Sequence, residues 1–160
     1  LRAVDEKTFI EDPLRALRGV QFAGRFDMDL DDHTIDICEK MTWNNISSER
    51  IQGELHKLLL KSTNFHQGLN TLYDIQWNDL TPHITKNIDN PIPQHILDKI
   101  NNYPITDDQK IALTASVLDY YYSDSTKNIG EDFMLTSKQN KIFKIYNRLW
   151  RLKLVPREKC

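Results

Sequence analysis

The sequence predicts an all-α protein of several helices joined by short loops, and three observations support this prediction. Apolar residues recur at helical spacing through most of the chain, with neither strand-like alternation nor an internal repeat. Residues that cap helices precede several of these stretches, and segments rich in proline or asparagine separate them. A length of 160 residues suits one domain or two small helical ones, with helices of about ten to sixteen residues.

The composition excludes several classes of protein. A formal net charge of −2 gives no overall attraction for nucleic acid, so any such contact needs a local basic patch. Cys38 and Cys160 are far apart and lack metal-ligand spacing, which predicts a reduced, cytoplasmic protein without structural zinc. There is no signal peptide and no apolar run near the roughly eighteen residues of a membrane span. Because the chain begins at Leu1 without Met, we interpret it as a fragment of a longer protein.

The stretch from Phe9 to Phe26 predicts the first helix, from about Pro13 to Phe26. Asp12 is a preferred N-cap residue, and a proline is well tolerated in the first turn. Helical spacing divides the remaining side chains between two faces. The candidates for burial are Leu14, Leu17 and Phe26, while Arg15, Arg18, Phe22 and Arg25 can share the second face.

Asp12 and Arg15 lie three residues apart at the start of this helix and can point into one cleft. A carboxylate accepts from an exocyclic amino group and a guanidinium donates to a ring nitrogen, which matches the edges of cytosine and adenine. Uracil and guanine present the reverse pattern, so such a pair would reject them through unpaired buried groups. The alternative is a capped amphipathic helix, in which Glu11 and Asp12 interact favourably with the helix dipole.

The same stretch, FIEDPLRALRGVQFAGRF, resembles the EDxxR motif of the bacterial CCA-adding enzyme and poly(A) polymerase family, in which a side-chain pair selects the incoming CTP or ATP. Residues 1–4 resemble the end of the preceding family motif, and residues 47–55 resemble the SxERIxxEL element that buttresses the template helix. The alternative for that element is a surface pair between Arg50 and Glu54. The resemblance implies base contacts by Asp12, Arg15 and Arg18, with support from Glu11, Glu49 and Arg50.

The resemblance covers residues 1 to about 85 well and the remainder loosely, which implies a neck at 1–85 and a body at 86–160. It implies an enzyme that transfers AMP or CMP from ATP or CTP to the 3′ end of tRNA or another RNA, without a membrane partner. Its Mg²⁺ would be bound by the N-terminal head domain, whose carboxylates and glycine-rich motif match nothing in these residues. The fragment alone is therefore expected to be inactive. A poly(A) polymerase fragment and a non-catalytic helical RNA-binding module are the alternatives.

Capping residues and apolar spacing predict the next helices. We expect Asp31 or Asp32 to cap a helix to about Met41, and Ser48 to cap one over 49–61. Further helices are predicted over 64–75, over 93 or 94 to 101, and after a capping box formed by Thr106 and Gln109. The residues predicted to be buried on these helices are Ile51, Leu55, Leu58, Leu59, Phe65, Leu69, Leu72, Ile75, Ile111, Ala115, Leu118 and Tyr122.

Many relatives carry an HD phosphohydrolase signature in the body, and this chain has no His-Asp dipeptide. His95 and Asp98 share a helix face but read as polar surface, so no metal site is predicted. Among the three tyrosines at 120–122, at least one must enter the core, because a helix cannot turn three successive residues outward.

The last long helix is predicted from Ser137 to about Leu152, with Trp150 packed. Its expected apolar face comprises Ile142, Ile145, Tyr146, Leu149 and Leu152. Its basic stripe comprises Lys138, Lys141, Lys144, Arg148 and Arg151. A solvated face is the ordinary explanation for such a stripe, but the family resemblance implies RNA backbone contact through Lys141, Lys144, Arg148 and Arg151.

Overall fold

The computed structural model describes residues 1–84, 91–123 and 129–152, apart from the side chain of Arg151. In these ranges the regular structure is helical, which confirms the predicted all-α fold. The helices are α1 (Glu6–Glu11), α2 (Leu14–Phe26), α3 (Asp32–Glu39), α4 (Ser48–Lys61), α5 (Phe65–Asp74), α6 (Gln94–Asn102), α7 (Asp107–Tyr122), α8 (Ile129–Asp132) and α9 (Ser137–Arg151), with a 3-10 turn at Asn78–Leu80.

The chain divides into two compact units, Leu1–Leu80 (unit 1) and Thr81–Cys160 (unit 2). Within the described ranges, no helix is long and apolar enough to cross a membrane.

Side-chain caps explain why most helix boundaries agree with the sequence patterns. Asp31 and Asn64 cap α3 and α5, and Thr106 forms the predicted capping box with Gln109. The cap of α4 is Ser47 rather than the predicted Ser48, because the Ser47 hydroxyl accepts the backbone N–H three residues later at 3.4 Å. Two neighbouring serines present the same sequence signal, and only the backbone conformation distinguishes them.

The start of α2 differs from the prediction by one residue. Pro13 occupies the N-cap position, and Asp12 lies one residue before it as the C-cap of α1. The Asp12 carboxylate nevertheless accepts the backbone N–H of Leu14 at 3.2 Å. Helix α1 was not predicted, because its six residues include no buried side chain and so produce no apolar period. Asp12 consequently lies at the junction of two helices.

Close packing of α2, α4 and α5 forms the core of unit 1. Glycines permit the approach: a Cβ on Gly68 would lie 2.6 Å from Leu58 Cδ1, and one on Gly24 would lie 2.8 Å from Ser62 Oγ. With the exception of Phe26, the apolar residues predicted to be buried on these three helices are buried, including Leu14 on α2.

Phe26 was predicted to be buried, but it is 54% exposed and its ring stacks on Phe22 at a centroid distance of 5.8 Å. Phe26 is the last residue of α2, and the next residue, Asp27, turns the chain away in a left-handed conformation with φ of 51°. The side chain therefore lies at the edge of the packed surface.

Unit 2 is built on α7 and α9. The predicted core residues Ile111, Ala115, Leu118 and Tyr122 are buried. The predicted packing of Trp150 is confirmed, since its ring stacks on Tyr120 at 5.1 Å.

The apolar face predicted for α9 is partly wrong. Ile145 and Leu152 are 60% and 61% exposed, whereas Phe143 and Trp150 are buried. Residues 143 and 150 are seven apart and share a face, while residue 145, two positions after 143, points away from it. The apolar face that the sequence predicts for α9 is therefore wider than the face that packs in the structure.

Near the start of unit 2, His83 forms a polar pair with Asp132 that was not predicted from the sequence. Asp132, at the end of α8, is 5% exposed and accepts the backbone N–H of His83 at 2.8 Å. Its other carboxylate oxygen lies 2.7 Å from His83 Nδ1. Burial raises the pKa of Asp132 to about 6, although the contacts with His83 act to lower it.

This pKa predicts a pH-dependent stability. Between pH 4 and pH 6 the folded state binds more protons than the unfolded chain, so the contribution of Asp132 to stability is lost as pH rises through about 6. We expect the free energy of unfolding to fall by roughly 2–3 kcal/mol over this range relative to Asp132→Asn. Urea unfolding at several pH values measures this fall in the free energy of unfolding. Asp98→Asn, at an exposed position, is the matched control; equal pH profiles for the wild type and Asp132→Asn would contradict the prediction.

Candidate nucleotide-binding site

The candidate site lies where α1 meets α2, and its central side chain is the carboxylate of Asp12. One oxygen accepts the backbone N–H of Leu14, and the other lies 2.9 Å from Arg50 Nη2 on α4. The Asp12 side chain is 32% exposed, so solvent still reaches it. Arg15 follows in the first turn of α2, where its backbone N–H donates to the Asp12 carbonyl at 3.0 Å. Contacts with α2 and α4 therefore fix the orientation of this carboxylate.

The surroundings of Asp12 keep it ionised. Partial burial acts to raise the pKa of Asp12, but the hydrogen bonds from Arg50 and from the Leu14 amide act against it. The positive charges of Arg50 and Arg15 act in the same direction, so the pKa of Asp12 lies below its ordinary value. A carboxylate in this state can only accept hydrogen bonds.

The Arg15 side chain is held by a residue that precedes it in the sequence. Its Nη1 donates to the backbone carbonyl of Thr8 in α1. Arg15 also lines a cavity of about 270 Å³. The wall of this cavity includes Phe9, Arg15, Arg18, Gly19, Phe22 and Thr34, and Asp12 is not among its residues. The Asp12 carboxylate contacts Arg50, and Arg15 but not Asp12 lines this cavity. The structure therefore does not bring the two side chains into one cleft, contrary to the prediction from their spacing, because α4 supplies a closer partner for the carboxylate.

Arg18 is anchored to α4 through a buried acid. Its Nε lies 3.4 Å from Glu54 Oε1, and Lys57 Nζ lies at the same distance from that oxygen. Gln21 Nε2 donates to the other Glu54 oxygen at 3.4 Å, and both Glu54 and Gln21 are buried. No role was predicted for Gln21; the available signal was its position one turn after Arg18, on the side that faces α4.

The remaining proposed supporting residues occupy helix ends. Glu11 is exposed at the end of α1, and Glu49 is exposed in the first turn of α4. At that position the negative charge of Glu49 stabilises α4 by its interaction with the helix dipole.

The basic residues of α9 lie in unit 2. Lys141, Lys144 and Arg148 are exposed, whereas Lys138 pairs with Asp108 at 3.3 Å. The side chain of Arg151 lies outside the described part of the structure. His95 and Asp98 are exposed on α6, and no cluster of three or more potential metal ligands occurs among the described residues.

Comparison with known proteins finds a sequence similarity and a structural similarity. The chain is 36% identical over 72 residues to the tRNA nucleotidyltransferase cca2 of Schizosaccharomyces pombe. The chain is thus similar to part of a tRNA nucleotidyltransferase. A solved CCA-adding enzyme in complex with CTP shares its fold over 98% of this chain, with a TM-score of 0.56 and 19% identity. No protein-family model matches the chain.

The chain corresponds to a limited part of these tRNA nucleotidyltransferases. The sequence match covers 42% of this chain and 15% of the S. pombe protein. The structural match covers 40% of the CCA-adding enzyme.

Replacing Arg50 by alanine is expected to change the titration of Asp12. We predict that Arg50→Ala raises the pKa of Asp12, because the burial that opposes ionisation remains while the hydrogen bond and the charge of Arg50 are lost. The pH titration of the Asp12 carboxyl carbon by NMR measures this change. Lys57→Ala, which removes a cation from the same helix without touching Asp12, is the control. An unchanged titration in Arg50→Ala would show that the salt bridge does not act on Asp12.

Proposed function

We propose that the chain is the base-selecting and RNA-binding part of a tRNA nucleotidyltransferase that adds C and A to the tRNA 3′ end from CTP and ATP. One observation carries the proposal: Arg50 fixes an ionised Asp12 beside Arg15 at the start of α2. The 36% identity to a tRNA nucleotidyltransferase supports it independently of that geometry.

The proposed recognition follows from hydrogen-bond chemistry. Asp12 accepts the exocyclic amino group of cytosine or adenine, and Arg15 donates to the adjacent ring nitrogen. Anchoring by Thr8 and by Arg50 reduces the rotamer freedom that binding would otherwise remove. A uracil or guanine would direct a carbonyl at the Asp12 carboxylate, leaving both groups unpaired. Arg18, tethered to Glu54, adds a cation to the wall of the cavity that Arg15 lines.

The proposal assigns the transfer step to the N-terminal head domain of the longer enzyme. Carboxylates of that domain would hold Mg²⁺, which stabilises the phosphate charge that develops during transfer. This chain would supply the neck at 1–85 and the body at 86–160. Its own residues would bind and orient the base and hold the RNA.

In the body, we assign RNA backbone contact to Lys141, Lys144, Arg148 and Arg151. The first three are exposed along one helix, which is the arrangement that successive phosphates require. A cytoplasmic location belongs to the same proposal and is supported by Cys38, a free and buried thiol whose pKa burial raises to about 12.

Direct titration of the chain with the four nucleoside triphosphates tests the proposal. We expect CTP and ATP to bind more tightly than UTP and GTP by roughly ten- to a hundredfold, since one good base-edge pair discriminates by about 1–3 kcal/mol. Chemical-shift changes at Arg15 and Leu14 report the binding site. Binding of ATP alone would favour a poly(A) polymerase. Equal affinity for all four nucleotides, with RNA binding retained, would favour the non-catalytic RNA-binding module.

A further inference from the structure

We propose that α2 and α4 form a second RNA-binding surface in unit 1, which holds an unpaired RNA segment by its phosphates and by one stacked base. The inference rests on the proposed function for the identity of the polyanion. Apart from Arg18 and Phe22, which line the cavity beside Arg15, it concerns residues that have no role in the base-selecting site. Two independent observations support it: a ridge of cations, and an exposed aromatic ring that stacks on a second ring.

The cations come from two neighbouring helices. We call Arg18, Arg25, Lys57 and Lys61 the α2–α4 ridge. Arg18 and Arg25 are seven residues apart on α2 and share a face, and Lys57 and Lys61, four apart, share a face of α4. The side chains of Arg18 and Lys57 are 50% and 48% exposed, and Lys61 is exposed.

A buried acid joins the two sides of the α2–α4 ridge. Glu54 Oε1 lies 3.4 Å from both Arg18 Nε and Lys57 Nζ, which keeps the two cations close together. The Glu54 side chain is only 5% exposed, so a ligand arriving from solvent meets the cations before it meets the carboxylate. Less side-chain entropy remains to be lost when such restrained cations bind a phosphate.

The dimensions of the ridge suit a polyanion. At 1.5 Å per helical residue, Lys57 and Lys61 are separated by about 6 Å along α4, and Arg18 and Arg25 by about 10 Å along α2. Several phosphates in sequence can therefore be contacted at once.

An exposed aromatic ring, Phe26, supports RNA with an unpaired base as the polyanion. It is 54% exposed, stacks on Phe22 at an interplanar angle of 26°, and has the Arg25 guanidinium 5.3 Å from its ring centre. The hydroxyl of Thr63, two residues after Lys61, donates to the Arg25 carbonyl at 3.0 Å, so the ends of the two helices meet here. A flat ring beside cations is the feature on which single-stranded nucleic acids stack. An acidic protein partner would not require it.

The test uses fluorescence anisotropy of the 160-residue chain with a labelled single-stranded RNA between about 50 and 200 mM salt. We expect the double variant Lys57→Glu/Lys61→Glu to bind at least about tenfold more weakly at low salt, with the slope of log affinity against log salt reduced by about one to two. Lys7→Glu/Lys40→Glu changes the charge of unit 1 equally at exposed positions outside the ridge. An equal loss of RNA affinity in both double variants would overturn the proposal.

A second measurement examines the base contact. In an RNA with one 2-aminopurine, Phe26→Ala should abolish the fluorescence quenching caused by stacking and weaken binding by about 5- to 100-fold. Met28→Ala, at a residue that is 46% exposed, is the matched control. Unchanged quenching in Phe26→Ala, with polyglutamate competing as well as RNA, would show an acidic-protein surface and overturn the proposal.

Two further readouts separate this inference from the proposed function. The preference for CTP and ATP should be retained in the ridge variants, because they leave Asp12 and Arg15 intact. If Lys141→Glu/Lys144→Glu abolishes RNA binding while the ridge variant does not weaken it, the second surface is wrong and the proposed function stands. If the wild-type chain shows no base preference, the proposed function fails whatever the ridge variants do.

Discussion

Replacing Asp12 by alanine is expected to lower the preference for C and A over U and G by roughly ten- to a hundredfold, since a good base-edge pair discriminates by about 1–3 kcal/mol. The change removes the acceptor for the amino group and also leaves Arg50 without its partner at 2.9 Å. Arg15→Ala should lower the preference similarly. The effects of the two substitutions should be far from additive, because the pair acts as one unit. Competition among the four triphosphates in the proposed full-length transferase measures these preferences.

Asp12→Asn separates base selection from the hydrogen bond that Asp12 accepts at the start of α2. Asparagine can still accept the Leu14 amide, as Asp12 does at 3.2 Å, so the roughly 1 kcal/mol of that hydrogen bond is retained. Its amide can, however, turn an N–H towards the carbonyl of uracil or guanine. We therefore expect Asp12→Asn to lose the base preference while keeping the stability. An unchanged preference for C and A in this variant would show that Asp12 is only a structural residue.

Trp77→Ala is expected to cost about 3–5 kcal/mol of stability in unit 1, the range for removing a large aromatic side chain from a core. Trp77 is 2% exposed, and its Nε1 donates to the Cys38 carbonyl at 3.2 Å. The side chain thereby joins the end of the unit to α3. Amide hydrogen exchange measures the loss: protection at Leu72 on α5 should fall, while protection at Ala115 in unit 2 should not.

Trp77→Phe is the matched control for this cavity. It keeps a large ring but removes the hydrogen bond to Cys38. We therefore expect a smaller loss of stability, of about 1 kcal/mol for the hydrogen bond together with the loss from poorer packing of the smaller ring. An equal fall in protection in both units after Trp77→Ala would contradict independent stability of the two units.

The residues that could be predicted from the sequence are those governed by local spacing. Thr106 and Gln109 form a capping box because both partners lie within one turn, and Leu55 and Leu58 are buried because apolar spacing defines the inner face of α4. The EDxxR motif likewise depends on contiguous residues. Asp12 could therefore be selected as a candidate site residue, together with Arg15, from the sequence alone.

The exposure of individual apolar side chains could not be predicted in this way. Phe26 and Ile145 satisfy the apolar pattern, yet they are 54% and 60% exposed. Burial depends on whether a neighbouring element covers the side chain, and the hydrophobic period of one helix carries no information about its partners. The short helix α1 was missed for the related reason that it buries no residue.

The sequence by itself determined the all-α class, the principal helices, the family resemblance and the presence of Asp12, Arg15 and Arg50. Only the tertiary structure decided their partners: Asp12 pairs with Arg50, 38 residues away, and Glu54 pairs with Arg18 on α2. Such contacts depend on how α2 packs against α4, which the glycine at position 24 permits by allowing close approach. Local propensity acts within a turn or two of helix, whereas these ion pairs require backbone geometry that only the assembled core provides.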